Sequence, residues 1–394
     1  MKNLWFQAHW LVGITAGIIL AVVGVTGGLL SFEDEIQNWL NRDVRQVAVS
    51  AAAPLSPTEL LARVKAQQPE ARIASLQFSG DPADAVRVNL GQQKTRYADP
   101  YTGRLIEGEG ARGREFFRGT RSLHRYLVSG GFGNRDIGKQ LVGVSTLLCA
   151  GLALSGLYLR WPRRSQRLSA RAWLTFDPAL KGRPFLWHLH AIVGTWVLVA
   201  FLMMSLTGPY WSYEWYRSGM YKLAGVEAPQ RRGEGPRNAS ARNADGRTAT
   251  PRDGEPRNQR EGGAVPANID AVWHSFQGMA PDGFRTATLN LPQENPGTIE
   301  IRYVDRDAWH SRANNSLTLD AASGAVRRHE RYEDKSFGGR FMSSVLSWHS
   351  GSVFGVVGKT LFMLASLSMP LFAISGWMMY LQRRARKKLL RKKG

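Results

Sequence analysis

Two stretches decide how this chain folds: HWLVGITAGIILAVVGVTGGLLSFE at residues 9–33 and HAIVGTWVLVAFLMMSLTGPYWSYE at residues 190–214. At one offset of 181, eight positions agree or nearly agree: His9 with His190, Val12 with Val193, Gly13 with Gly194, Thr26 with Thr207, Gly27 with Gly208, Ser31 with Ser212, Phe32 with Tyr213 and Glu33 with Glu214. Chance rarely gives that, so the chain carries an internal repeat. Each stretch contains a charge-free run, Trp10–Leu30 of 21 residues and Ala191–Tyr213 of 23. Two more runs, Leu141–Leu159 of 19 residues and Thr360–Leu381 of 22, correspond at an offset of 220, where Ile137-Gly138-Lys139 matches Val357-Gly358-Lys359 and Ser155-Gly156 matches Ser375-Gly376. About 20 apolar residues at ~1.5 Å each cross a ~30 Å hydrocarbon core. The reading is a membrane protein of four transmembrane α-helices in two tandem repeats, each repeat being helix, outer segment, helix.

Charge sets the expected orientation. The 394 residues hold 52 Lys and Arg against 31 Asp and Glu, a formal charge of +21. Arg160–Pro184 carries seven positives and one acid, and Gln382–Gly394 carries eight positives and none. The long segments Ser31–Gly138 and Glu214–Lys359 are nearly balanced, with 15 positives to 13 acids and 20 to 17. Lys and Arg gather in short cytoplasmic loops, so both termini are expected inside and both long segments outside. The excess then faces anionic lipid headgroups and offers no case for nucleic-acid binding. The first run lacks a small-residue cleavage site and exceeds a signal-peptide core, so it reads as a retained anchor. The single cysteine, Cys149, excludes an intrachain disulfide, C-x-x-C-H haem attachment, iron–sulfur clusters and cysteine-rich zinc sites.

Each outer segment reads as α+β. Ser56-Pro57-Thr58-Glu59 is a capping box opening a helix to about Gln68, followed by strand-like Ala85–Leu90 and Thr95–Ala98. The second segment offers a helix near Asn268–Gly278 and strands near Thr286–Leu291 and Thr298–Val304. The hairpin turn Asp99-Pro-Tyr-Thr-Gly103 has a counterpart in Asp320-Ala-Ala-Ser-Gly324. Residues 230–263, rich in Arg, Gly, Asn and Pro, hold too few large apolar side chains for a core and read as a disordered insertion.

Five of the eight histidines sit at helix ends. His9 and His190 are repeat partners at the basic side; His124 and His349 correspond at the outer side, allowing for a five-residue insertion at 130–134. A single such histidine reads as an interfacial anchor. Two pairs matched by a repeat read better as axial ligands, because facing neutral imidazoles hold one iron along its axis. Two non-covalent haems, one per membrane face, are therefore expected on His9 with His190 and on His124 with His349. Gly13, Gly17, Gly194, Gly351 and Gly355 would admit a flat ring, and Trp5, Trp10, Trp187, Trp196, Trp348 and Met203 would pack against it. His188 points ~200° from His190 on the helix and reads as a supporting residue, as do Trp348, Arg125 and Arg340. His274, His310 and His329 read as surface histidines. No H-E-x-x-H is present, which disfavours a zinc protease, and the methionines form no repeated copper motif.

The opening motif at His9, Val12-Gly13 and Thr26-Gly27, its copy from His190, the W-H-x-G of Trp348–Gly351 and the helix-plus-hairpin outer segments together resemble the PepSY-associated transmembrane helix family. The resemblance extends over nearly the whole chain. It implies two PepSY-like periplasmic domains, at 32–136 and 214–350, and membrane helices at 1–31, 137–161, 187–213 and 351–381. A basic cytoplasmic loop at 162–186 and a basic tail at 382–394 complete the arrangement. It further implies two haems b and the bacterial inner membrane. The implied activity is a ferric-siderophore reductase of the ferrioxamine type, releasing Fe(II) from a hydroxamate chelate for uptake. No catalytic residue is expected beyond the haem ligands. Arg118, Arg121, Arg125 and Arg340 are candidates for steering a ligand or holding a propionate. No G-x-G-x-x-G follows a strand, so the electron comes from a quinol, a reduced flavin or a partner reductase. The alternatives are a di-haem carrier serving another acceptor and a haem-free binding or sensor module.

Overall fold

The computed structural model describes residues 2–91, 94–128, 133–161, 170–228, 268–291 and 297–393. The insertion at 230–263, residues 130–132 of the shorter insertion and residues 162–169 of the basic loop lie outside them. In chain order the first half runs α1 (Lys2–Leu30), α2 (Glu33–Leu40), α3 (Arg42–Arg45), α4 (Pro57–Gln67), β1 (Ile73–Ser79), β2 (Val86–Leu90), β3 (Lys94–Ala98), α5 (Arg114–Tyr126) and α6 (Arg135–Arg160). After α7 (Ala170–Leu174), the second half runs α8 (Gly182–Trp196), α9 (Leu198–Thr207), α10 (Pro209–Ser212), α11 (Glu214–Leu223), α12 (Ile269–Met279), β4 (Phe284–Asn290), β5 (Thr298–Asp305), β6 (Asn314–Asp320) and β7 (Val326–Glu330). It closes with α13 (Phe337–Ser343), α14 (Val345–Ser350), α15 (Gly355–Leu367) and α16 (Met369–Lys393).

Among the described residues three helical stretches are long and apolar enough to cross a membrane: Lys2–Leu30, Arg135–Arg160 and Ser352–Arg386. A fourth span exists if α8 and the stretch Leu198–Ser212 count as one, and these are bent by 63°. The break falls at Val197, whose ψ of 0° departs from helical values. Small residues on α1 let it sit against the last span. A Cβ at Gly24 would lie 2.5 Å from both Met369 Cβ and the Ser366 carbonyl oxygen, and one at Gly28 would meet Leu367 at 2.6 Å. The Ser366 hydroxyl donates to the Gly24 carbonyl at 2.9 Å across this contact, a close approach typical of small-residue helix seams.

The two long segments between the spans do not form separate sheets. Their strands make one seven-stranded antiparallel sheet, ordered β3-β2-β1-β4-β5-β6-β7. The halves meet where β1 pairs β4, with Leu76 opposite Leu289 and Phe78 opposite Ala287. One core follows from that pairing, uniting Leu60, Leu76 and Val88 of the first half with Phe276, Leu289 and Ile301 of the second. The expected capping box is present at Ser56 and Glu59. Asp270 from α12 reinforces it, accepting from the Ser56 hydroxyl and the Thr58 amide, both at 3.0 Å; a carboxylate there also complements the helix dipole.

Candidate functional site

His9 lies on α1 and His190 on α8, and their ring centroids are 6.3 Å apart with planes at 69°. His124 on α5 and His349 on α14 repeat the arrangement at 6.4 Å and 69°. The residues paired from the sequence are therefore neighbours in space. His9 and Thr26, which contacts His124, are 17 residues apart on α1, which places the two pairs about 25 Å apart along the helix.

Each ring is held at Nδ1 by a hydroxyl from its own half. Ser155 lies 2.8 Å from His9 Nδ1 and Ser375 lies 2.7 Å from His190 Nδ1. Thr26 lies 3.2 Å from His124 Nδ1 and Thr207 lies 2.9 Å from His349 Nδ1. The direction of these bonds can be argued. The Ser155, Ser375, Thr26 and Thr207 hydroxyls donate to carbonyls one turn back, those of Leu152, Phe372, Val22 and Met203. The carbonyl contacts of Thr26 and Thr207, 2.7 and 2.6 Å, are shorter than their contacts to the imidazoles, so these two hydroxyls accept from Nδ1–H. His124 Nδ1 lies also 3.0 Å from the Val23 carbonyl, which only accepts. At His124 and His349 Nδ1 therefore carries the proton, and Nε2 keeps its lone pair, the tautomer a metal needs. Among the described residues no Nε2 of these four has a hydrogen-bond partner.

The spacing agrees with that chemistry. Centroids 6.3 and 6.4 Å apart leave room for one metal ion between the two rings of each pair. Among the described residues no group of three His, Cys, Asp or Glu side chains could hold a metal. A cavity of about 1700 Å³ opens around His9 and His190, beyond the ~300–1000 Å³ of a usual small-molecule site. Gly13, Gly17 and Gly194 line it with Trp10 and Trp187, and Arg160, Arg183 and Arg383 bring positive charge to its basic end. At the other pair the close glycines are Gly27 and Gly208, where an added Cβ would lie 3.1 Å and 3.6 Å from the imidazole Cε1 of His124 and His349.

Several supporting residues differ from expectation. Phe372 packs edge-on against His190 at 5.0 Å and Trp211 against His349 at 5.4 Å; the sequence reading named neither. Trp348 instead stacks among Phe341 and Phe354, and Gly351 lies against Phe362. His188 turns to the loop, with Nε2 3.2 Å from the Thr175 carbonyl and its ring beside Phe176. The Arg125 guanidinium lies over Tyr126, and the Arg340 carbonyl accepts from Ser344 at 2.6 Å. Arg118 and Arg121 are paired with Glu115 and Glu33. His310, expected at the surface, is only 3% exposed.

No curated protein matches this chain. The family described as PepSY-associated TM region matches residues 6–383, nearly the full length. The chain belongs to the PepSY-associated TM region family.

Proposed function

We propose that this protein is a di-haem reductase of the bacterial inner membrane, delivering electrons to a ferric siderophore on the sheet-bearing side. The observation that supports it is the two facing imidazole pairs, each ring held at Nδ1 by a hydroxyl so that Nε2 is bare. Haem b bound at both pairs would supply one-electron transfer between the membrane faces. His9 and His190 would hold the inner group, and His124 and His349 the outer one. Ser155, Ser375, Thr26 and Thr207 fix the tautomers and orient the rings. Phe372 and Trp211 exclude water beside one imidazole of each pair, which keeps the local dielectric low. The arginines lining the inner cavity suit carboxylate side groups.

Reduction is a sound route to iron release. Hydroxamate oxygens are hard ligands that favour Fe(III) and hold Fe(II) weakly. One electron converts the bound Fe(III) to Fe(II), and the metal leaves an intact chelator. The outer face then needs a docking surface more than acid–base groups. By the charge rule the short basic segments favour termini in the cytoplasm and the sheet in the periplasm.

The test is a visible spectrum of the purified full chain, oxidised and dithionite-reduced, with the haem-to-protein ratio. Sharp reduced α and β bands with two haems per chain are expected. His9→Ala or His190→Ala should leave one, and His124→Ala or His349→Ala should leave the other. A colourless protein that takes up no added haem would sink the proposal. Reoxidation of the reduced protein by ferrioxamine then tests the acceptor.

A further inference from the structure

A second concave site lies in the outer part, lined by none of the four paired histidines. Three guanidiniums enter a pocket of about 330 Å³: Arg45 at the end of α3, Arg87 on β2 and Arg114 at the start of α5. Thr95 and Tyr97 of β3 also line it, and Asp34 is its single acid among the described residues. Strand geometry puts these side chains together. Arg87 stands opposite Tyr97 in the ladder, so both share one face, whereas Val86 and Val88 alternate into the core.

The neighbouring carboxylates are already engaged elsewhere. Asp43 pairs with Arg112 at 2.7 Å, Glu109 with Arg96 at 3.1 Å, Glu33 with Arg121 at 2.6 Å, and Glu115 with Arg118. Arg45, Arg87 and Arg114 have no ion pair among the described residues. Arg45 is held for use: its guanidinium lies 5.6 Å from the centre of the Tyr97 ring and donates to Asn38 Oδ1. Its Nε is buried with no acceptor among the described residues. An unanswered guanidinium N–H in a confined place costs the full desolvation of that donor. An incoming oxygen anion removes that cost.

We propose that this pocket binds a small oxyanion with two or more negative oxygens, of the di- or tricarboxylate or phosphate class. Guanidinium forks match the planar carboxylate and the phosphate edge, and charge-assisted bonds to them are the strong ones. The volume stands at the low end of the ~300–1000 Å³ of small-molecule sites, which suits a small anion and excludes a whole ferric chelate. Arg114 also opens α5, the helix that carries His124 ten residues on, so an occupied pocket would sit about 15 Å along that helix from the outer pair. The binding inference holds whether or not haem occupies the histidine pairs.

The experiment is calorimetric titration of the purified full chain in neutral detergent with sodium citrate and, separately, inorganic phosphate, at fixed ionic strength. Saturable one-to-one binding of at least one anion is expected, and which one binds separates the two sources. Arg87→Gln, on an exposed strand position, should weaken it by about tenfold or more while leaving the anion-free thermal midpoint unchanged. Arg45→Gln should weaken it as well. The proposal fails if neither anion binds at about 10 mM or if Arg87→Gln binds as the wild type does. Full displacement by chloride at the same ionic strength would overturn it too, as simple screening.

Discussion

One hydroxyl proton determines what each membrane imidazole can do. Ser155 lies 2.8 Å from His9 Nδ1, and Nε2 of His9, with no partner among the described residues, is bare for a metal. Removing that hydroxyl releases the tautomer and the ring plane together. Ser155→Ala or Ser375→Ala should weaken haem retention by about 10–100-fold, the usual cost of losing such a supporting contact, without unfolding the protein. Haem titration into the apoprotein measures it, and an unchanged affinity would show that the hydroxyls do not tune the pair. The histidines were legible because a repeat marks them twice. Ser155, Ser375, Thr26 and Thr207 were visible as repeat markers, yet no sequence rule says that a serine in an apolar helix points at an imidazole 146 residues away. Trp211 and Phe372 carry no signal at all, since aromatics are common in every span.

At the scale of elements, apolar length and capping chemistry reported most helices well. α4 begins at the expected capping box, and three of the four charge-free runs became unbroken spans, the run at 191–213 being bent at Val197. Strands were legible where apolar and polar residues alternate, as in β2 and β5. β7 reads Val-Arg-Arg-His-Glu and is mostly exposed, so hydrophobic periodicity has nothing to register there. β6 alternates only from Leu317 onward. The bend at Val197 was equally hidden, for neither glycine nor proline marks it. Close helix packing gives the sharper test. At Gly24 a Cβ already meets Met369 and Ser366 at 2.5 Å, both on the facing span. Gly24→Leu should therefore separate α1 from that span and cost about 1–3 kcal/mol or more, lowering the thermal midpoint in detergent. Gly151→Leu, where nothing lies within 4 Å of the added carbon, should leave it nearly unchanged. Equal midpoints for the two variants would refute the tight seam.

For the whole molecule, the seven-stranded sheet is joined to α14 at His310, in the connection between β5 and β6. Its Nε2 lies 3.1 Å from the Tyr332 hydroxyl, and its Nδ1 accepts from the Arg312 amide at 3.1 Å and faces Ser347 of α14 at 3.5 Å. Burial, and then the Arg285 and Arg312 guanidiniums, hold its pKa below the ordinary 6.5. The unfolded chain therefore binds the extra proton more readily, and stability rises with pH through this window. As pH falls below the ordinary imidazole value the full chain should lose stability through this group. The thermal midpoint should drop accordingly, and His310→Gln should flatten that slope; an identical slope would remove His310 from the account. What the sequence could not reveal at this scale is the single sheet, because Leu76 and Leu289 pair across 213 positions and nothing local encodes the partner. That long-range pairing also governs biogenesis. β1 leaves the ribosome 205 residues before β4 begins, a wait of about 10–40 s at ~5–20 residues per second. Through that interval the strand has β2 on one side and an unsatisfied edge on the other, open to pairing with any other nascent chain. The second half thus closes the nascent edge of the first, and a transcript truncated after α6 would yield an inserted but adhesive fragment.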